Sequence, residues 1–125
     1  MVDVAAISDS LIDAYNAKDF DALSTLIVPE LDFAHFNRDF VLTSREALIE
    51  VLKGFATTYA PDRHFEPAER ISVAGNIVVR EAWYAGTAAV DLPGFGAAGE
   101  KFRFKFCSVM RFNDDGFLVE WKDHG

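Results

Sequence analysis

Several polar side chains fall on strand faces that are otherwise apolar, and they are the residues best suited to acid/base chemistry. The stretch from Glu100 to His124 alternates apolar and polar residues, and its predicted inner face carries Ser108 and Asp123 among aromatic side chains. Two other predicted strands place His35 and Glu81 on apolar faces in the same way. Because burying a polar group costs free energy unless it finds a partner, these positions indicate a functional site.

His35 is the predicted proton-transfer group. Desolvation disfavours a cationic imidazole and a nearby carboxylate favours it, so a pocket histidine with an acidic partner titrates near neutrality. Glu81 is the predicted partner, and either Glu81 or Asp123 could instead be held protonated to donate to an enolate oxygen. Each such group supplies roughly 10²- to 10⁴-fold, enough for enolisation, aldol cyclisation or dehydration of an activated ketone.

Each of these residues also has a purely structural interpretation. His35 would be a half-exposed residue at a strand end or would bond a backbone carbonyl, Glu81 would pair with a neighbouring Arg or Tyr, and Asp123 would be solvated near the end of the chain. Ser108 would bond a neighbouring backbone group. The sequence leaves both interpretations open.

Phenylalanine is unusually frequent, with 12 Phe among 125 residues. Flat, rigid rings fill a core or line an apolar cavity equally well. If there is a cavity, the predicted substrate-binding walls are Tyr15, Phe33, Phe55, Tyr59, Trp83, Phe106, Ser108, Met110 and Trp121.

Metal or cofactor chemistry is not expected. His35, His64 and His124 lack the short spacing typical of metal ligands. Cys107 is the single cysteine, which excludes an intrachain disulfide. General acid/base chemistry of the kind described above requires no cofactor.

Two helices are predicted before the first strand. Apolar residues at three- and four-residue spacing predict an amphipathic helix over residues 3–17, and Asp19 is a suitable N-cap for a shorter one that ends before Pro29. From Leu31 a period of two predicts a strand with His35 on its apolar face. A third helix follows the capping-box sequence TSRE at residues 43–46 and ends at Pro61.

Two antiparallel hairpins are predicted in the second half of the chain. Residues 65–73 and 77–86 flank the turn 74–76, which would set Ile71 opposite Val79 and Glu69 opposite Glu81. On the second of these strands the face with Ile77, Val79, Glu81 and Trp83 is predicted to point inward. Residues 87–100 form a glycine-rich loop, and the turn at residues 113–116 would pair Phe112 with Phe117, Met110 with Val119, Ser108 with Trp121 and Phe106 with Asp123.

Length and charge limit the classes of function. A chain of 125 residues with 50% hydrophobic residues forms one domain, residues 1–125, with its own core. The net charge of −8 argues against nucleic acid and anionic membranes, which require clustered Lys and Arg. The first residues lack the basic and apolar regions of a signal peptide, and no segment is long enough to span a bilayer, so a cytoplasmic location is expected.

The order of elements resembles the nuclear transport factor 2-like superfamily, and within it the SnoaL-like proteins. The resemblance rests on NAKDFDAL at residues 16–23, the strand carrying His35, SREA at residues 44–47 and DGFLVEW at residues 115–121. It implies an α+β fold in which a curved antiparallel sheet wraps around a long helix, preceded by two helices, as a cone-shaped, cystatin-like α+β barrel with a deep apolar pocket. It also implies frequent dimerisation through the outer sheet face.

The superfamily includes ketosteroid isomerase, polyketide cyclases, scytalone dehydratase and limonene-epoxide hydrolase, besides members that only bind or assemble. By resemblance, His35 lies where ketosteroid isomerase has its general-base aspartate, Ser108 where it keeps a protonated aspartate and Leu11 where it has a hydrogen-bonding tyrosine. Asp123 corresponds to a late-strand aspartate of SnoaL-like cyclases. The departures at these positions count against ketosteroid isomerisation.

Two hypotheses follow for this chain. The first is a small, cofactor-independent isomerase, cyclase or dehydratase with His35, Glu81 and Asp123 as catalytic residues, acting on an apolar carbonyl compound of polyketide or terpenoid size. The second is a non-catalytic domain that binds hydrophobic small molecules or acts as a scaffold. In both cases a homodimer is expected, through an outer sheet face formed by Val78, Ala82, Tyr84, Cys107, Val109 and Leu118 with Arg80, Arg103, Arg111 and Glu120.

Overall fold

Three helices and seven strands make up the computed structural model, which describes residues 2–125. The helices are α1 (Val4–Asn16), α2 (Phe20–Thr25) and α3 (Arg45–Gly54), and a π-helical turn, Phe55–Tyr59, continues α3. The strands are β1 (Ile27–His35), β2 (Phe40–Leu42), β3 (His64–Phe65), β4 (Arg70–Ala74), β5 (Ile77–Thr87), β6 (Lys101–Phe112) and β7 (Leu118–His124). A short 3₁₀ turn, Phe36–Arg38, joins β1 to β2.

The helix starts follow the predicted capping residues. Asp19 accepts a hydrogen bond from the Ala22 amide at 3.1 Å, and Ser44 accepts one from the Ala47 amide at 3.1 Å, which satisfies amides that a helix leaves unpaired. The second half of the predicted capping box does not form, because Glu46 pairs with the adjacent Arg45 instead, at 2.8 Å.

The strands form one open sheet in the order β2-β1-β7-β6-β5-β3, with β4 also paired to β5. The predicted α+β class with a curved sheet over the helices is confirmed. The sheet is not purely antiparallel, since β1 and β7 run parallel, and it does not close on itself. Residues from α1 and α3 are buried together with one face of the sheet, and this shared layer is the core.

The final hairpin is confirmed, but its register differs from the prediction by two residues. Ser108 lies opposite Asp123, and Met110 lies opposite Trp121. A bulge near Phe112, which pairs with Leu118, absorbs the difference. Because the shift is an even number of residues, Ser108, Trp121 and Asp123 keep their predicted inner face. Beyond the bulge the prediction is wrong, since Leu118 is buried and Phe117 is exposed.

The inward face of β5 was predicted wrongly. Val78, Arg80, Ala82 and Tyr84 are buried, whereas Ile77, Val79, Glu81 and Trp83 lie on the other face. The turn has two residues, with Gly75 at φ 59, rather than three, so Ile71 pairs with Arg80 and Arg70 with Glu81. Both faces of β5 carry large apolar residues, and the alternation alone therefore did not determine which one the helices cover.

This correction also changes the predicted dimer surface. Val78, Arg80, Ala82, Tyr84 and Leu118 are buried inside the domain and are not part of the outer face. The outer face instead combines apolar and charged residues, namely Ile77, Val79, Glu81, Trp83, Arg103, Cys107, Val109, Arg111 and Glu120.

Candidate functional site

A cavity of about 550 Å³ lies between the inner face of the sheet, α3 with its π-helical turn, and the loop before β6. This volume falls within the range of small-molecule sites. Ten of its twenty lining residues are aromatic: Tyr15, Phe33, Phe40, Phe55, Tyr59, Phe65, Tyr84, Phe95, Phe106 and Trp121. The high phenylalanine content is therefore used in part to line a cavity.

The structure brings most of the predicted site residues to this cavity. Those that line it are Tyr15, Phe33, His35, Phe55, Tyr59, Phe106, Trp121 and Asp123. Ser108 and Met110 are buried behind the wall and do not line it.

Glu81 and Trp83 do not belong to the cavity, because they lie on the outer face of β5. Arg70 Nη2 donates to Glu81 Oε1 at 2.9 Å, so the carboxylate has a surface partner. Trp83 Nε1 donates to Glu69 Oε1 at 2.6 Å, and Arg103 lies over the indole at 4.1 Å. The predicted catalytic role of Glu81 and the predicted pocket role of Trp83 are both wrong.

His35 is paired with an arginine and not with a carboxylate. Arg38 Nη1 lies 3.1 Å from His35 Nε2. Since a guanidinium can only donate, Nε2 accepts, and the neutral ring carries its proton on Nδ1. That nitrogen is buried and has no hydrogen-bond partner among residues 2–125. The histidine therefore has a buried N–H that no group in the described residues accepts.

Burial lowers the pKa of His35 to about 4, and the positive charge of Arg38 adds to this effect. The expected titration near neutrality is accordingly wrong. Its physical reason is that the cationic neighbour Arg38 takes the place of the expected anionic partner.

Arg38 holds three segments together at the cavity wall. Its Nη1 donates to the Gly125 carbonyl at 2.7 Å, and its Nη2 donates to the Gly94 carbonyl at 3.0 Å. The guanidinium also lies 4.2 Å from the centre of the Phe95 ring, a cation–π contact. Its Nε is buried without a partner in the described part of the chain. Sequence reasoning missed Arg38, although its position three residues after His35 was a usable signal.

Asp123 is the buried acidic residue of the cavity, whereas Glu50, which also lines the cavity, is exposed. Its side chain is buried, with 4% of the residue exposed, and Trp121 Nε1 donates to its Oδ1 at 2.7 Å. Burial raises the pKa of Asp123 to about 6, while hydrogen bonds from Ser108 and Trp121 and the charge of Arg38 oppose the rise. This carboxyl group changes its protonation state near neutrality.

The sheet register aligns the buried polar residues in one row across four strands. His35 on β1 is the partner of Asp123 on β7, Asp123 is the partner of Ser108 on β6, and Ser108 is the partner of Arg80 on β5. All four are buried. Arg80 Nη1 donates to Asp9 Oδ1 at 2.6 Å, so the row ends in an ion pair at α1.

Two tyrosines form a second polar group in the cavity. The hydroxyls of Tyr15 and Tyr84 lie 2.8 Å apart, and both residues line the cavity. Tyr84 was missed because the wrong face of β5 was taken as the inner one. Behind this pair Arg63 is 1% exposed, and its guanidinium lies 3.9 Å from the centre of the Tyr15 ring.

Within residues 2–125, no cluster of three His, Cys, Asp or Glu side chains has an arrangement that could hold a metal ion. None of the helices in the same range is long and apolar enough to cross a membrane.

A family model described as "SnoaL-like domain" matches residues 9–121. No protein among the curated ones searched matches the chain.

Solved structures with the same fold cover nearly the whole chain. A candidate polyketide cyclase from Xanthomonas campestris pv. campestris has a TM-score of 0.82 at 15% identity, and the match covers 98% of this chain and 89% of that protein. IdmH, a candidate polyketide cyclase from Streptomyces antibioticus, has a TM-score of 0.78 at 22% identity, and the match covers 98% of this chain and 91% of IdmH. An LEH-like epoxide hydrolase from M. tuberculosis has a TM-score of 0.75 at 17% identity, and the match covers 97% of this chain and 80% of the hydrolase. At these identities the similarity establishes the fold alone.

Proposed function

Because this chain belongs to the SnoaL-like domain family, we propose that it is a small acid/base enzyme that acts without a cofactor on an apolar carbonyl compound. The similar structures include candidate polyketide cyclases and an epoxide hydrolase, which supports a catalytic or ligand-binding domain. The proposed reaction class is isomerisation, cyclisation or dehydration.

The observation that carries the proposal is the state of Asp123. It is a buried carboxyl group on the wall of an aromatic cavity, and its pKa of about 6 lets it exist as a base at neutral pH and accept a proton readily. A general base is most effective when its pKa lies near the working pH. Asp123 therefore takes the proton-transfer role that the sequence had assigned to His35.

The proposed first step is enolisation. The Asp123 carboxylate takes a proton from the carbon next to a ligand carbonyl, the C–H electron pair forms a C=C bond, and the carbonyl oxygen becomes an enolate oxygen. His35, which lines the same cavity, is the proposed hydrogen-bond donor to this oxygen. Asp123 then returns the proton to another carbon of the enolate. Alternatively, the enolate carbon attacks a second carbonyl in an aldol cyclisation, and the alkoxide that forms takes the proton back from Asp123.

The cavity favours a ligand of polyketide or terpenoid size. A volume of about 550 Å³ and walls rich in aromatic rings suit a flat, apolar molecule with few polar atoms. Its polar atoms have to meet the few polar groups on the wall, of which Asp123 and His35 are adjacent in the sheet.

Deuterium exchange of an activated ketone tests the proposal without knowledge of the substrate. Exchange of the acidic α-protons of 2-tetralone is followed by NMR in D₂O with the protein and without it. We expect the protein to accelerate exchange, with a rate that rises as Asp123 ionises through pH 6. Asp123→Asn should remove the acceleration, by roughly 10²-fold or more.

A binding domain without catalysis is the second candidate. It is favoured by the state of His35, whose pKa is lowered to about 4 by burial and by the charge of Arg38, so that this ring stays neutral and does not exchange its proton near neutral pH. In the same samples, chemical-shift changes that show tetralone in the cavity, with exchange no faster than in buffer, would support binding alone.

A further inference from the structure

The Tyr15–Tyr84 pair has one hydroxyl proton more than it uses. Each hydroxyl carries one proton, and one of them bridges the two oxygens across 2.8 Å. The second proton is not used in this bond, and no other group among residues 2–125 accepts it. Because both residues line the cavity, a ligand oxygen could accept that proton.

Both hydroxyls stay protonated at neutral pH. Burial raises the pKa of Tyr15 to about 12 and raises the pKa of Tyr84 well above its usual value. The pair is consequently a hydrogen-bond donor toward a ligand and not a base.

Arg63 gives this donor an uncommon electrostatic setting. Its Nη1 donates to the Tyr15 carbonyl at 2.7 Å, whereas its Nε and Nη2 are buried without partners in the described chain. Its charge lowers the pKa of both tyrosines, against the larger effect of burial. A positive charge behind a phenol strengthens the O–H as a donor and favours negative charge on the atom that accepts it.

The tyrosine pair and Asp123 line the same cavity, and aromatic rings contact both groups. The Phe106 ring stacks on the Tyr84 ring, with 5.1 Å between the ring centres, and it contacts the His35 ring edge-on, with 4.8 Å between the ring centres. The Trp121 ring contacts the Tyr15 ring, with 6.5 Å between the ring centres, and its Nε1 donates to Asp123 Oδ1. A flat ligand lying on these rings would reach both polar groups.

We propose that the Tyr15–Tyr84 pair, with Arg63 behind it, is a second polar binding point that takes a carbonyl or enolate oxygen of the ligand. The inference rests on the proposed function, in which the first ligand oxygen lies at His35 and Asp123. The proposed substrate is therefore an aromatic or conjugated compound with two oxygen functions. The oxygen that binds the tyrosine pair is a hydrogen-bond acceptor.

Two naphthols of nearly equal shape test the second binding point. 6-Acetyl-2-naphthol has a carbonyl oxygen where 6-isopropyl-2-naphthol has a methyl group and a hydrogen, and in both compounds we expect the hydroxyl to donate to Asp123. Isothermal titration calorimetry should give the wild type a preference for the acetyl compound of roughly 3- to 10-fold, the value of one hydrogen bond. The double variant Tyr15→Phe/Tyr84→Phe should bind both compounds equally, with its affinity for the isopropyl compound unchanged.

Infrared spectroscopy of the bound acetyl compound gives a readout that a structural role of these residues would not alter. Its carbonyl stretch should move to lower frequency in the wild type and return toward the value in apolar solvent in the double variant. Arg63→Met should return the carbonyl frequency partway toward that value. Arg63→Lys should retain more of the wild-type shift than Arg63→Met does.

Several results would overturn the inference. They are an equal affinity of wild type for both naphthols, a preference unchanged in the double variant, no binding of either naphthol, or loss of the preference in Asp123→Asn alone. The proposed function fails separately, if the protein does not accelerate exchange of 2-tetralone.

Discussion

His35 and Asp123 are direct partners in the parallel pairing of β1 and β7, yet the acid has the higher pKa of the two. The pKa of His35 is lowered to about 4 and that of Asp123 is raised to about 6. Between these values both side chains are neutral, and above pH 6 a carboxylate faces a neutral imidazole. No imidazolium–carboxylate pair forms, and in the proposed reaction Asp123 therefore moves a proton while His35 donates a hydrogen bond.

NMR titration of the His35 ring tests its pairing with Arg38. The wild-type ring should keep its neutral shifts down to about pH 4. Arg38→Gln should raise the pKa of His35 partway toward 6.5, because a neighbouring positive charge is removed while burial remains. Glu81→Gln is the matched control and should leave the titration unchanged, since Glu81 bonds Arg70 on the outer face. An effect of Glu81→Gln as large as that of Arg38→Gln would contradict this arrangement.

Asp123 should make the fold less stable as the pH rises. Its pKa is about 6 in the folded chain against 3.8 as an ordinary value, so the folded state holds the proton more tightly. The stability from this group is present below pH 4 and is lost as the pH rises through 6, by about 3 kcal/mol at most.

Urea unfolding of Asp123→Asn at pH 5 and pH 8 measures that contribution. Relative to the wild type, the free energy of unfolding of the variant should be higher at pH 8 than at pH 5, because Asn stays neutral at both pH values. Glu30→Gln, at an exposed position, controls for the general loss of one acid. An equal difference between Asp123→Asn and wild type at both pH values would contradict the raised pKa.

Arg38 should stabilise the loop that covers the cavity. Its bond to the Gly94 carbonyl and its contact with Phe95 both disappear in Arg38→Met. We expect faster amide hydrogen exchange at residues 92–96, with little change in the exchange of β6. Arg70→Met removes a guanidinium from the outer face and should leave the loop unchanged. Equal protection of the loop in all three proteins would show that Arg38 does not hold it.

A homodimer through the outer sheet face remains a prediction, with the corrected residues. Val79 and Val109 are direct partners on β5 and β6 and lie in the middle of that face. Sedimentation equilibrium at micromolar concentration should give twice the 13.9 kDa mass of the chain. Val79→Glu/Val109→Glu should give the monomer, because two buried charges would face their symmetry mates. Ser10→Glu, exposed on α1, should stay dimeric, and a wild type of 13.9 kDa would refute the prediction.

Most elements and their order could be predicted from local sequence, although β2 was missed and the strand predicted over residues 65–73 is two short strands, β3 and β4. Asp19 and Ser44 cap helices by reaching amides three residues away, and the alternation in β6 exposes one face and buries the other. These effects act within a few residues along the chain, so the pattern contains the required information. For the same reason the inner positions of His35 and Asp123 were predictable.

The partners of these residues depended on tertiary structure. β5 carries large apolar residues on both faces, and only the packing of α1 against one of them buries Arg80 and Tyr84 and leaves Glu81 outside. The parallel pairing of β1 with β7 joins residues 88 positions apart, and it is this pairing that places Asp123 beside His35. A protonation state depends on burial and on charges brought close in space, and spacing along the chain specifies neither.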